Sequence, residues 1–443
     1  MRSIRSISIV VPGEPTPSGL LRLPETDQVA QWTHTPLIYI YRAKSNNTTI
    51  PFSFEAMKNS LSRALVHFYP LAGRLHWIEG GRLELDCNAM GVQLLEACSE
   101  AELDELGDFA PTDVVRDLIS HPKVTRFRCG GLCVGVAISH TMVDGQSAIH
   151  FINSWAKLSR GYDLEDVDMP FLDRTVLRSS EPTPRFDHIE YTTKPPVLIG
   201  RMDANEERKK ETSVTLLKLT REQVEVLKKR ANQDVVGVTT IRPYSRYEAI
   251  AGHIWRCACK VRAVDSHNSQ STRARLGVDI RNRLKPSLPE RYFGNAISAT
   301  VTPICLYEDL LSRPLSYSAG KLREAIERMD DEYIRSALDF ISSQKDVSGL
   351  RSNFHIQRYG TFLGNPNIFL GSWIGLPIYD ADFGWGKPIY VGPGLLNMDG
   401  KSFIVPSPTP DGSLTIALSL QAQYMDSFKK IFYKDISVSP AKL

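Results

Sequence analysis

Strand-like and helix-like segments follow one another along this chain without the regular alternation that a parallel βαβ sheet requires, and this irregular order most constrains its fold. Leu37-Ile-Tyr-Ile-Tyr41, Leu132-Cys-Val-Gly-Val-Ala-Ile138 and Leu414-Thr-Ile-Ala-Leu-Ser-Leu420 are short runs rich in β-branched and apolar residues, the composition of strands. Between them, Ser53 to Phe68 places Met57, Leu61, Leu65 and Phe68 at helical spacing, and Pro70 stops the pattern. Thr220-Arg-Glu-Gln223 and Ser245-Arg-Tyr-Glu248 read as capping boxes, in which a hydroxyl caps a free backbone N–H and the residue three on reaches back. The second opens a helix burying Ile250, Ile254, Trp255 and Ala258. The predicted class is α+β in layers.

A chain of 443 residues, 42% of them hydrophobic, can bury the core of two domains or of one two-lobed unit. The segment 193–212 begins with Lys-Pro-Pro and passes through Asp203-Ala-Asn-Glu-Glu-Arg-Lys-Lys-Glu211, nearly free of large apolar residues. It is expected to cross the surface as a linker between an N-terminal lobe (1–192) and a C-terminal lobe (213–443).

Charge and cysteine usage exclude several classes. Lys and Arg number 53 against 50 acidic residues, net +3 and interspersed, so no nucleic-acid footprint is present, although an anionic ligand fits this balance. The seven cysteines are odd in number and sit mostly in apolar segments, the usage of a reducing, cytoplasmic setting. Cys257-Ala-Cys259 lacks a second pair, and no metal is expected. The start Met1-Arg-Ser-Ile-Arg-Ser-Ile-Ser-Ile-Val reads as an alternating strand rather than a signal peptide. No apolar run reaches about 18 residues, so no membrane span is expected. Asn46 and Asn47 begin sequons of little meaning for an intracellular chain. Ala441-Lys442-Leu443 resembles a peroxisomal address, against which stands the reading of a chance tail.

The most informative stretch is 132–161. A buried-type strand ends at Ser139-His140, and a helix follows with Val143, Ala148, Phe151, Ile152, Trp155 and Leu158 as its apolar positions and Gly161 at its stop. His140 therefore lies at a strand-to-helix junction, where a side chain projects from a rigid backbone. Gly145 would let chain or substrate approach closely. A neutral imidazole is suited to take a proton from an attacking alcohol or amine. Alone, His140-Thr-Met-Val-Asp144 does not decide between such a base and a structural histidine. Competing chemistries lack their parts: no G-x-S-x-G elbow, no clustered zinc ligands, and no kinase or dinucleotide loop beside Asp382-Phe-Gly384. Asp382-Phe-Gly-Trp-Gly386 itself reads first as a tight turn around a buried tryptophan.

The two markers in this order, about 240 residues apart, resemble the signature pair of the plant BAHD acyltransferases. Phe68-Tyr-Pro-Leu-Ala-Gly-Arg-Leu75, Tyr292-Phe-Gly-Asn295 and Asp279-Ile-Arg-Asn-Arg283 extend the resemblance over essentially the whole chain. It implies a two-lobed, chloramphenicol acetyltransferase-like fold with mixed sheets and an interlobe tunnel, and a monomer using acyl-CoA as co-substrate without a metal. It also implies that His140 is the general base, that Asp144 points away to pair with an arginine, and that Gly145, Asp382 and Gly384 shape the site. Asp382 is expected to pair with Arg281 or Arg283, and Trp385 to lie near the oxyanion. A non-enzymatic binding protein is disfavoured by the intact motifs.

Within the family the chain is similar to hydroxycinnamoyl transferases. Pro170-Phe-Leu-Asp-Arg-Thr175 and Leu376-Pro-Ile-Tyr-Asp-Ala-Asp382 resemble the shikimate/quinate enzymes, whereas Leu71 to Gly91 and His253-Ile-Trp-Arg-Cys-Ala-Cys-Lys260 look more like the spermidine branch. Shikimate-using relatives carry an arginine that corresponds to Gly375, and a threonine that corresponds to Gly371. The expected acceptor is therefore an amine such as spermidine, with an alcohol such as shikimate or quinate as the alternative. Gly375, Tyr39 and His34 are its expected pocket. The donor is a hydroxycinnamoyl-CoA, with benzoyl-CoA as an alternative.

Overall fold

In the computed structural model the strand-like runs assemble into two mixed sheets of six strands each. Residues 2–42, 52–119, 122–178, 182–192, 194–199, 204–235, 242–263, 269–351 and 363–437 are described. Both sequons and the Ala441-Lys442-Leu443 tail lie outside them.

The first half supplies β1 (Arg2–Val10), β2 (His34–Tyr41), β3 (Val92–Ser99), β4 (Lys123–Phe127) and β5 (Leu132–Ser139), with helices α1 (Phe54–His67) and α2 (Gly145–Ser159). The second half supplies β6 (Thr212–Leu219), β7 (Ala274–Asp279), β8 (Ile297–Val301), β9 (Ile368–Ser372), β10 (Tyr390–Pro393), β11 (Lys401–Pro406) and β12 (Leu414–Gln421), with α3 (Arg221–Ala231) and α4 (Arg246–Arg262). One sheet runs β1-β3-β4-β5-β2-β10 and the other β8-β7-β9-β11-β12-β6.

Local grammar explains the helices. Ser53 accepts from the Ala56 N–H at 3.2 Å, and both capping boxes form as the sequence predicts. Each such cap contributes about 1 kcal/mol. Helix α2 ends where Gly161 takes a φ of +85°, a region open to glycine without a Cβ penalty. Its Trp155 is buried against α1 and donates to the Met57 carbonyl (3.3 Å) and the Ser60 hydroxyl (3.1 Å). The indole thus fixes how the two helices pack beneath the first sheet.

The division of the chain at 193–212 needs correction in two respects. The sixth strand of the first sheet, β10, comes from the C-terminal half and pairs antiparallel with β2, Tyr390 opposite Ile40. Phe383 and Trp385 also enter the first core: Trp385 lies edge-on to Tyr41 (centroids 5.3 Å apart), and Phe383 edge-on to Trp155 (5.0 Å). The edge of β2 and the faces of Tyr41 and Trp155 must be covered, and this returning segment covers them. The linker also does more than cross the surface. Residues Ala204–Lys209 form a helical turn, and Glu207 is buried there. Burial alone would raise its pKa, but hydrogen bonds from Lys210, Gln421 and Asn365 hold it down to about 2.

Candidate active site

The carboxyl end of β5 and the start of α2 face the open side of the second sheet, and a cavity lies between them. Ile138, His140, Val143 and Gly145 line it from the first lobe; Gly277, Ile297, Phe369 and Phe403 line it from the second. The walls are largely apolar, as is usual for a small-molecule site.

His140 is positioned by its own backbone and by a chain of buried polar groups. Its N–H donates to the Thr33 carbonyl at 2.9 Å. Its Nδ1 lies 3.2 Å from Asn295 Oδ1. The Asn295 Nδ2 donates to Asp27 Oδ1 (2.8 Å) and to the carbonyls of His140 (2.8 Å) and Thr141 (3.2 Å), all acceptors, so the amide has one sensible orientation. Its oxygen must therefore receive a proton from Nδ1, which leaves Nε2 as the basic nitrogen. Asp27 is in turn fully buried and fixed by Arg174 at 2.6 Å. Burial pushes the pKa of Asp27 up, while Arg174 and Asn295 pull it back.

Burial also lowers the pKa of His140 beneath the ordinary histidine value near 6.5. The Asp144 carboxylate opposes that shift and the Lys401 ammonium adds to it. A base is competent when neutral, so the lowered value extends the competent form to more acid pH. We expect the acid limb of the kcat/KM profile to have its midpoint below about 6.5; a midpoint above 7 would contradict this environment. Asn295→Ala should lower kcat by about tenfold or more with little change in KM, because the tautomer is no longer fixed. An unchanged kcat and an unchanged acid limb would show that the amide does not position the ring.

Asp144 points away from the imidazole. Its carboxylate caps α2 by accepting from the Ser147 N–H (3.0 Å), receives the Ala296 N–H (2.8 Å) and pairs with Arg281 at 2.8 Å. It thereby fastens the start of α2 to the turn after β7, which holds the two lobes in register around the cavity.

The sequence profile of the Transferase (BAHD) family matches residues 3–435. The chain belongs to that family. It is 47% identical to the hydroxycinnamoyl-CoA:piscidic acid hydroxycinnamoyltransferase of Actaea racemosa, over 98% of this chain and all of the relative. It is 42% identical to the shikimate O-hydroxycinnamoyltransferase of Nicotiana tabacum, over 97% and 99%. It is 39% identical to the hydroxycinnamoyl-CoA:5-hydroxyanthranilate N-hydroxycinnamoyltransferase HHT1 of Avena sativa, also over 97% and 99%. Among solved structures, vinorine synthase aligns with a TM-score of 0.72 at 22% identity over 96% of both chains. The F. graminearum TRI101 complex with coenzyme A and deoxynivalenol aligns with a TM-score of 0.76 at 17% identity, over 93% of this chain and 97% of that one. The protein is a BAHD acyltransferase with the two-lobed fold of these structures.

Several residues expected at the site of this BAHD enzyme are placed elsewhere. Trp385 does not line the cavity; it packs against Tyr41, Phe383 and Phe52, so it is a core anchor and not an oxyanion neighbour. Asp382 pairs with neither expected arginine. Its Oδ1 accepts the N–H groups of Gly384 and Gly386, both at 2.8 Å, and Arg160 is the cation near it at 3.9 Å. Arg281 is occupied by Asp144, and Arg283 donates to the Ile326 and Met329 carbonyls. Positive φ at Gly384 (101°) and Gly386 (90°) lets the loop wrap the carboxylate, so Asp382 and Gly384 shape this loop at a remove from the cavity.

Tyr39 is fully buried within the first core. His34 opens onto a hollow with Trp32, Leu71 and Arg74 that shares Ile138 with the cavity. Gly375 is an exposed gap between Trp373 and Leu376, which do line the cavity, and a Cβ there would meet nothing within 4 Å. Gly371 has the opposite role: a Cβ there would come within 2.5 Å of the Phe403 ring. Sequence reading missed Asp27, Arg174, the role of Asn295, and two cations of the cavity floor, Arg275 and Lys401.

Proposed function

We propose that this acyltransferase moves a hydroxycinnamoyl group from its CoA thioester to a hydroxyl or amino group of a small acid, with His140 as the general base. The observation that carries the reading is the imidazole at the cavity wall with Nδ1 committed to Asn295 and Nε2 left as the basic nitrogen. As the acceptor oxygen or nitrogen attacks the thioester carbonyl, Nε2 takes its proton. The tetrahedral adduct then collapses, the C–S bond breaks, and the departing thiolate leaves with the proton returned by the imidazolium. The bond formed is an ester or an amide, and free CoA is the second product.

The donor class is supported by the relatives, whose names state hydroxycinnamoyl transfer. Those names also state acceptors that are acids: piscidic acid, shikimate and 5-hydroxyanthranilate. A polyamine, the acceptor expected from the sequence, would bring its positive charges against Arg275 and Lys401 in a site where Asp144 is already neutralised by Arg281. An acceptor panel with p-coumaroyl-CoA, read by mass spectrometry, tests the proposal. Acyl products of acids should exceed those of spermidine. Spermidine outpacing every acid would overturn the acceptor class, and no CoA release with any acceptor would overturn the transfer itself.

A further inference from the structure

The cavity floor carries two cations that neither motif contains. Arg275 on β7 lies opposite Phe369 on β9, and Phe369 lies opposite Lys401 on β11, in two successive parallel pairings. In-register residues of neighbouring strands project to the same face. The three side chains therefore form one row across the sheet, with the two cations two strands apart, on the order of 10 Å. All three line the cavity that His140 lines from the opposite lobe.

The two cations differ in their surroundings. Arg275 is deeply buried, and burial lowers its pKa while Tyr191 and Glu190 raise it. Lys401 has no such compensation: among the described residues no carboxylate pairs with it, and its ammonium lies 5.6 Å from the centre of the Phe403 ring. Burial lowers its pKa to about 8, so it is still mainly a cation at neutral pH. A cation withdrawn from water without a counter-charge costs free energy, and an anion brought by the substrate relieves that cost. The ammonium lines the same cavity as the base, close enough for its charge to act on the imidazole, so an anion bound here belongs to a molecule that reacts at His140. The CoA phosphates are separated from the reacting thioester by the whole pantetheine arm.

We infer that Lys401, flanked by Arg275, anchors a carboxylate of the acceptor and makes the enzyme selective for acids over their uncharged counterparts. The inference rests on the transfer reading above and deepens it. The contact fixes the acceptor at one end while its nucleophile faces Nε2 at the other.

The test uses p-coumaroyl-CoA with shikimate and 5-hydroxyanthranilate and with their methyl esters, on the wild type, Lys401→Met and Lys401→Arg. Lys401→Met should lower the acid-to-ester ratio of kcat/KM by at least about tenfold, mainly through KM of the acid, and Lys401→Arg should restore most of it. An unchanged ratio overturns the inference, whether both substrates fall together, as for a group serving the oxyanion, or neither changes. Calorimetric binding of the two acids to the wild type and to Lys401→Met, with CoA present, gives a readout independent of turnover. At least one acid should bind the wild type, and about tenfold more weakly the variant; no binding to the wild type, or equal binding, overturns the anchor. Absence of CoA release with acids and esters alike would instead bring down the transfer reading, and calorimetry would still decide the anchor.

Discussion

His140→Ala is expected to lower kcat/KM by about 10²- to 10⁴-fold, the usual contribution of a positioned general base. The side chain is half-buried at the cavity, and its removal leaves Asn295 and Asp27 still tied to Arg174 and to the backbone carbonyls of residues 140 and 141. The loss should therefore be chemical and not conformational. It is read from initial rates of CoA release, with the unfolding midpoint as a control that the lobes remain intact. His140→Gln, which preserves shape and an amide contact toward Asn295, should be nearly as impaired because it offers no basic nitrogen. A variant that keeps full activity at an unchanged midpoint would remove His140 from the mechanism.

Arg281→Met should be the most damaging substitution for stability, at about 3–5 kcal/mol. The Asp144 carboxylate is 0% exposed and the Arg281 side chain 7% exposed, so removing the guanidinium strands a charge in a place that water cannot reach. The Ser147 and Ala296 N–H groups still serve the carboxylate, which keeps the loss from rising further. Urea denaturation checks the figure, with a double-mutant cycle to Asp144→Ala. The double variant should lose less than the sum of the single losses, because the stranded charge is gone. Strict additivity would mean that the pair does not act as a unit. Since the pair joins the start of α2 to the turn after β7, the single variant should also lose activity although it touches no substrate.

What was legible in the sequence was local. Capping boxes at Thr220 and Ser245, the Ser53 start, the Gly161 stop and the strand preceding His140 depend on residues a few positions apart, and each formed as read. What was illegible depended on partners far along the chain. Tyr390-Val-Gly-Pro393 has the composition of a turn and becomes a strand because β2 offers it an edge. Two carboxylates and two arginines were apparent, but Asp144 to Arg281 spans 137 positions, and spacing alone cannot choose between that pairing and one with Asp382. Lys401 at the start of a strand reads as a solvated charge until the register of β7, β9 and β11 places it on the inner face.

The strand that returns to the first sheet has a consequence for biogenesis. A ribosome that has released residues 1–192 has made five of the six strands of that sheet, with the outer edge of β2 bare and the Tyr41 and Trp155 rings uncovered. Both are sealed only after Phe383, Trp385 and Tyr390 emerge, when four of the six strands of the second sheet have been made. The nascent N-terminal lobe thus keeps a bare edge while the following strands are made, and its fragment expressed alone should aggregate through that edge. Supplied in trans, a piece beginning at β6 carries the missing strand and should rescue it.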